Sequence, residues 1–175
     1  MEIRFKEVVV DCMNLRRATG KLAAGGCCRN ASTLLSISGA NGEGHPPKMA
    51  NKSLALKFDR GGATSSDVCK ILNFARAIRD GDKVIIHSNK GLHRAPAATI
   101  AFLTSLGMHW KVAVEVVFEH FPNVTPDNQI LRCMDKLLDT KAARYSARLA
   151  EKRDARVARK KRIDARNAKR AARRG

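Results

Sequence analysis

The chain has few aromatic and few acidic residues. Aromatic side chains make up 5% of its 175 residues, with a single tryptophan and a single tyrosine. The 16 acidic residues stand against 34 lysines and arginines, which gives a formal net charge of +18. This imbalance excludes the near-neutral or acidic surface of an ordinary cytosolic protein and favours polyanionic partners.

Long apolar runs are missing as well. No stretch reaches the roughly 18 residues needed to span a bilayer. The opening MEIRFKEVVV mixes acid and base, whereas a secretory signal would place a basic segment before an apolar one. The five cysteines are odd in number and include no CxxC pair, which argues against a zinc site or a redox couple. We therefore expect an intracellular protein, cytoplasmic or associated with nucleic acid, without a metal, a cofactor or a membrane partner.

The order of predicted elements is that of an α/β domain. Strands are predicted over residues 5–10, 33–38, 53–58 and 83–87. Helices are predicted after an N-cap within residues 64–67, and over residues 95–106, 110–121 and 127–138. Strands followed by a strand–loop–helix unit and further helices predict a central, mostly parallel sheet flanked by helices.

Residues 139–175 differ in composition from the preceding 138. They carry 15 lysines and arginines against four acids, so that +11 of the total charge lies there. Alanine, arginine and lysine all favour helix, but the large apolar residues are too sparse for a stripe that faces a core. We therefore predict a domain over residues 1–138 and a basic tail over residues 139–175, helical or partly disordered.

The tail is a candidate nucleic-acid interface because its clustered cations would neutralise phosphates and release counterions. One tyrosine and no tryptophan or phenylalanine occur in it, so base stacking and sequence preference should be minor. The alternative is a tail that only solubilises or targets the protein. The residues that we expect to bind nucleic acid are Arg159, Lys160, Lys161, Arg162, Lys169, Arg170, Arg173 and Arg174.

The segment from His87 to Ala95 lies between a predicted buried strand and an apolar helix. Such a turn directs successive backbone N–H groups and the positive end of a helix towards one point, which suits a phosphate dianion. Gly91 would allow close backbone approach, and Arg94 could grip two phosphate oxygens through its guanidinium fork. On these residues alone, an ordinary loop between a strand and a helix explains the pattern at least as well.

The same segment resembles the signature of the cysteine-based protein tyrosine phosphatases of the dual-specificity type, His-Cys-x-x-Gly-x-x-Arg after a strand. His87, Gly91 and Arg94 match it, and Ser88 stands where the family has its nucleophilic cysteine. Residues 94–97, Arg-Ala-Pro-Ala, resemble a variant found in some active members. The resemblance extends from about residue 33 to residue 138 and includes residues 126–128, similar to a Pro-Asn element of many small members.

The resemblance implies roles for individual residues. His87 would orient the loop, and Asp59, which lies 29 positions before Ser88, would be the general acid. Without the resemblance, Asp59 is simply an exposed loop acid. The residues expected to bind phosphate are Ser88, Asn89, Lys90, Gly91, Leu92, His93 and Arg94.

The serine decides the chemistry that we expect. The pKa of a cysteine thiol is near 8.5, and the amino end of a helix lowers it. A serine hydroxyl needs a positioned base to act as a nucleophile, and the sequence does not reveal one. We therefore expect a protein that binds a phosphorylated protein, an RNA 5′-phosphate or another phosphoester and turns it over slowly or not at all. It would be either a natural pseudophosphatase or a Cys-to-Ser trap of an active enzyme. The alternative function is nucleic-acid binding through the tail, and a pocket for a terminal RNA phosphate would combine the two.

Overall fold

The computed structural model contains one five-stranded sheet and five helices within the residues that it describes, namely 2–5, 8–14, 33–38, 52–57, 62–78, 83–88 and 90–172. The strands are β1 (Glu2–Phe5), β2 (Val8–Asn14), β3 (Thr33–Ser38), β4 (Lys52–Lys57) and β5 (Lys83–Ser88). Their spatial order is β1-β2-β5-β3-β4. The β1–β2 pair is antiparallel, and the other three pairs are parallel.

Strand β5 occupies the middle of the sheet, between β2 and β3. Its β-branched run favours an extended, buried strand, and the side chains of residues 84–88 are all buried. Val84 and Ile86 belong to the main hydrophobic core. Because side chains alternate between faces of a strand, Ser88 lies on the same face as these two residues, and His87 lies on the opposite face with Ile85.

The strand predicted over residues 5–10 is confirmed only in part, since residue 5 and residues 8–10 belong to two different strands. The structure has two strands instead, β1 and β2, which are antiparallel with Phe5 opposite Val8. The sequence gives no clear local signal for this division, because β1 itself carries the charged residues Glu2 and Arg4.

The helices are α1 (Ser65–Arg76), α2 (Arg94–Ser105), α3 (Trp110–His120), α4 (Asn128–Leu138) and α5 (Ala142–Ala172). Helix α1 begins with the predicted cap, because the Thr64 hydroxyl accepts from the Asp67 N–H and the Asp67 carboxylate accepts from the Thr64 N–H. None of the described helices combines the length and the apolar composition that a bilayer-spanning segment would need.

Helix α2 is the centre of the helical layer. All nine residues from 95 to 103 are buried, and the helix contacts β2, β5, α1, α3 and α4. Four of the nine are alanines, whose small side chains allow the neighbouring elements to approach closely on several sides. The amino end of this helix is thereby fixed at the carboxyl end of β5.

The first three turns of α5 pack on the domain, contrary to our expectation that no part of the tail faces a core. Ala142, Ala143 and Ser146 are buried, and Tyr145 and Leu149 pack against the main core. This stripe is hard to recognise in the sequence because it consists largely of alanine and serine, which carry little of the signal of large apolar residues. Residues 154–168 of the same helix are exposed on every side.

Candidate phosphate-binding site

The candidate site lies where β5 ends and α2 begins. Ser88 is the last residue of β5 and is 5% exposed. Its Oγ accepts a hydrogen bond from the Ala95 N–H at 3.3 Å. The side chain expected at the nucleophile position therefore lies at the amino end of a buried helix, where the helix dipole favours negative charge. A thiolate at position 88 would be stabilised by the same N–H group and dipole.

The described part of the loop, residues 90–93, turns at Gly91. Gly91 has a φ of +69°, a left-handed conformation that side chains other than glycine adopt only with strain. Within the described residues, no acceptor is found for the backbone N–H groups of Gly91, Leu92 and His93. The third residue of α2 is Pro96, which has no N–H to leave unpaired in the buried first turn.

A cleft of about 330 Å³ opens at this point, lined by Ser88, Lys90, Leu92, His93, Arg94 and Asp127. Lys90 is exposed and Arg94 is half-buried, so two cations and a helix amino end face the cleft. The Asp127 carboxylate accepts from the N–H groups of Gln129 and Ile130 at 3.0 and 3.2 Å, which caps α4. The cleft is consequently suited to an anion.

A segment that we call the strap, residues 122–127, is hydrogen-bonded to the loop. The Thr125 N–H donates to the Leu92 carbonyl, and the Asp127 N–H donates to the His93 carbonyl, both at 3.0 Å. His93 Nδ1 donates to the Thr125 carbonyl at 2.8 Å. The sequence indicates residues 126–128 only through the resemblance and does not place Asp127 at the site.

His87 is 1% exposed, and neither ring nitrogen has a hydrogen-bond partner among the described residues. Burial lowers the pKa of His87 below its usual value of 6.5, so the imidazole is neutral at pH 7. It lies on the sheet face opposite to Ser88 and forms no hydrogen bond with the described part of the loop that it was expected to orient. It is therefore badly placed to act as a base towards Ser88.

Two of the expected site residues, Asp59 and Asn89, lie outside the described residues. Gly62 is described, and a Cβ atom added to it would lie 2.1 Å from the Gln129 Oε1 atom. Gln129 is two residues beyond Asp127, which lines the cleft. Gly62, which is three positions after Asp59 in the sequence, therefore lies next to the start of α4.

The expected tail cations are spread around a helix. Arg159, Lys160, Lys161 and Arg162 are exposed consecutive residues of α5, and steps of 100° direct them to all sides of the rod. Lys169 and Arg170 lie within the same helix, and Arg173 and Arg174 lie outside the described residues. Four neighbouring cations in the sequence are therefore not one patch in space.

No family model matches the sequence, and no curated protein matches it either. Solved structures do match. The human tyrosine phosphatase-like serine/threonine/tyrosine-interacting protein is 17% identical with a TM-score of 0.60, over 79% of this chain and 95% of that one. Human DUSP28 is 17% identical with a TM-score of 0.58, over 87% of this chain and 99% of that one.

A third structure, PTPMT1 in complex with PI(5)P, is 14% identical with a TM-score of 0.53, over 86% of this chain and 97% of that one. That protein was therefore solved with a phosphorylated ligand. At 14–17% identity these matches establish the fold, which agrees with the resemblance found in the His87–Arg94 segment. The chain has the fold of the dual-specificity phosphatases.

Proposed function

We propose that the chain binds a phosphate monoester dianion in the cleft at the amino end of α2, and that with serine at position 88 it releases the ligand unchanged. The observation that carries the proposal is the position of the buried Ser88 Oγ, which is 3.3 Å from the Ala95 N–H at the end of a helix. The left-handed Gly91 and the half-buried Arg94 surround the same cleft. A dianion there would meet amide donors, the helix dipole and a guanidinium.

The serine argues against turnover. Its Oγ accepts a hydrogen bond from a backbone amide, and within the described residues no imidazole or carboxylate accepts its proton. His87 faces away, and His93 Nδ1 is occupied by the Thr125 carbonyl. An alcohol without a base is a poor nucleophile at neutral pH. In this proposal Asp59 is the residual general acid.

Anion binding is tested by thermal unfolding of the full chain with increasing sulfate or phosphate. At a hundredfold excess over Kd, a bound anion adds about 2.7 kcal/mol, or roughly 5–10 °C for a chain of this size. We expect Arg94→Gln to remove most of this shift. Arg162→Gln, which removes the same charge from the exposed tail, should leave it unchanged. Equal shifts in both variants would place the anion on the tail and refute the proposal.

The missing nucleophile is tested by Ser88→Cys with p-nitrophenyl phosphate between pH 5 and 7. The cysteine form should hydrolyse the ester with release of p-nitrophenol, and the serine form should not. Adding Asp59→Asn to the cysteine form should slow hydrolysis by roughly 10²- to 10⁴-fold if Asp59 is the acid. Comparable turnover by the serine form would contradict the proposal, as would an inactive cysteine form that still binds phosphate.

A further inference from the structure

A second cleft lies where the start of α3 meets the start of α5. It has a volume of about 300 Å³ and is lined by Trp110, Lys141, Arg144, Tyr145 and Arg148. We call it the aromatic cleft. It combines the only tryptophan and the only tyrosine of the chain with three exposed cations. The sequence alone suggests no role for Trp110 beyond the core.

The two rings of the aromatic cleft are held in place. Their centroids are 5.9 Å apart with the planes at 82°, an edge-to-face contact. The Tyr145 hydroxyl donates to the Glu115 carboxylate, and this bond raises the pKa of the tyrosine. Lys111 Nζ lies 5.5 Å from the centroid of the same ring. Trp110 is half-buried, so part of its surface stays open to the cleft.

A line of cations leads away from the aromatic cleft along α5. We call it the basic stripe, and its members are Arg148, Lys152, Arg156, Arg159, Arg162 and Arg166. They follow one another at intervals of three or four residues, which places them on one side of the helix. All six are exposed. The stripe is about 27 Å long at 1.5 Å per residue.

We propose that the aromatic cleft and the basic stripe together bind single-stranded nucleic acid, with one base stacked on Trp110 and the backbone phosphates following the stripe. Aromatic rings interleaved with cations are the means by which proteins hold single strands of varied sequence. Arg148 belongs to both features, so a strand can pass from one to the other without a gap. The domain thereby adds Trp110 to the single tyrosine that the tail itself contains.

The aromatic cleft also selects among polyanions. In a duplex the base faces are stacked on one another and are not available to Trp110, so a duplex would use the stripe alone. An acidic protein segment would likewise use the cations and leave the tryptophan untouched. A single strand is the one polyanion that offers a free planar face together with a regular line of phosphates.

Trp110 is the only tryptophan, which makes its fluorescence a direct probe. The full chain is titrated with an oligouridylate of about 12 nucleotides, enough to span the cleft and part of the stripe. The deoxy equivalent and an abasic oligonucleotide of equal phosphate number are titrated alongside. We expect quenching by the first two and binding without quenching by the third. Quenching by either sugar type supports the proposal, whereas saturating binding of all three with unchanged fluorescence would overturn it.

Charge-matched variants test the stripe. Arg148→Gln with Arg159→Gln should lower the affinity for the oligouridylate and reduce the slope of log K against log salt by about 1.4, or about 0.7 for each phosphate that is no longer neutralised. Lys160→Gln with Lys161→Gln removes the same charge from other sides of α5 and should leave the slope nearly unchanged. Equal effects of the two pairs would show that net charge alone is responsible and would refute the stripe.

The stacking contact is tested by Trp110→Phe and Trp110→Ala. A stacked base contributes about 1–3 kcal/mol, so the alanine variant should bind the oligouridylate at least about fivefold more weakly, and phenylalanine should restore part of the loss. Affinity for the abasic oligonucleotide should not change, which separates lost stacking from lost folding. Tighter binding of a duplex or of polyglutamate than of the oligouridylate would contradict the proposal. None of these readouts depends on Arg94 or on phosphate in the other cleft.

Discussion

One contact that attaches helix α5 to the domain is made by a single carboxylate, Asp135, and removing this carboxylate tests how much the docking of the tail depends on it. Asp135 in α4 accepts from the Thr140 hydroxyl and from the N–H groups of Ala142 and Ala143, the latter two at 2.8 and 3.1 Å. It thereby satisfies two amides in the first turn of α5 from outside the helix, as an N-cap side chain would. Asp135→Ala leaves these donors without their partner.

The expected loss of stability is the sum of two effects. Removing a side chain that caps a helix costs about 0.5–2 kcal/mol, and removing a negative charge from a helix amino end costs about 0.3–1 kcal/mol more. Asp135→Ala should therefore lower the free energy of unfolding by about 1–3 kcal/mol. For a chain of this length the midpoint of thermal unfolding should fall by roughly 2–12 °C.

Urea unfolding followed by the fluorescence of Trp110 measures this loss, because Trp110 packs against Tyr145 of α5. Glu151→Ala is the matched control, since it removes an exposed acidic side chain from α5 itself. We expect the control to change stability by less than about 0.5 kcal/mol. Equal losses in the two variants would show that charge, and not the cap, is responsible. No loss in Asp135→Ala would mean that the first turns of α5 do not depend on this attachment.

Two further predictions concern the site and the residue behind it. The pKa of His87 in the folded chain lies below 6.5, so the unfolded chain takes up the proton first as the pH falls. The free energy of unfolding is therefore independent of this histidine above pH 6.5. Below that pH it decreases by up to about 1.4 kcal/mol per pH unit. The slope of the free energy of unfolding against pH is measured by urea unfolding between pH 7.5 and 5. His87→Phe should remove this contribution to the slope, and His109→Asn, at an exposed position, should keep it. A slope unchanged by His87→Phe would show that His87 is not its source. Gly91→Ala should lower the free energy of unfolding by about 1–2 kcal/mol, because the φ of +69° is strained for alanine. It should also reduce the rise in the unfolding midpoint that sulfate causes. An unchanged free energy of unfolding together with an unchanged sulfate effect would show that the left-handed turn is dispensable.

The unit of β5, loop and α2 was predictable because its signals are local. A β-branched run, a glycine before an arginine and an apolar stretch occupy adjacent positions, and the predicted bounds differ from the observed ones by a single residue at the end of β5 and at each end of α2. Position 88 could likewise be placed at the carboxyl end of a strand. These features need no knowledge of distant residues.

The unpredicted features depend on contacts between distant parts of the chain. Asp127 reaches the cleft because the start of α4 returns to the loop, and the docking of α5 depends on small residues such as Ala142 that carry little hydrophobic signal of their own. Trp110 and Tyr145 are far apart in the sequence, so no local pattern pairs them. Only the folded arrangement of α3 against α5 brings these rings together.

The strap of residues 122–127 is hydrogen-bonded to two different parts of the chain. Arg153 of α5 donates to the carbonyls of Pro122 and Val124, and the other end of the strap is bonded to Leu92 and His93. If the cleft binds an anion as proposed, these hydrogen bonds would hold the backbone of Leu92 and His93 before binding and so reduce the conformational entropy lost on binding. In that case Arg153, which is not among the residues lining the cleft, would contribute to anion affinity by holding the strap in place.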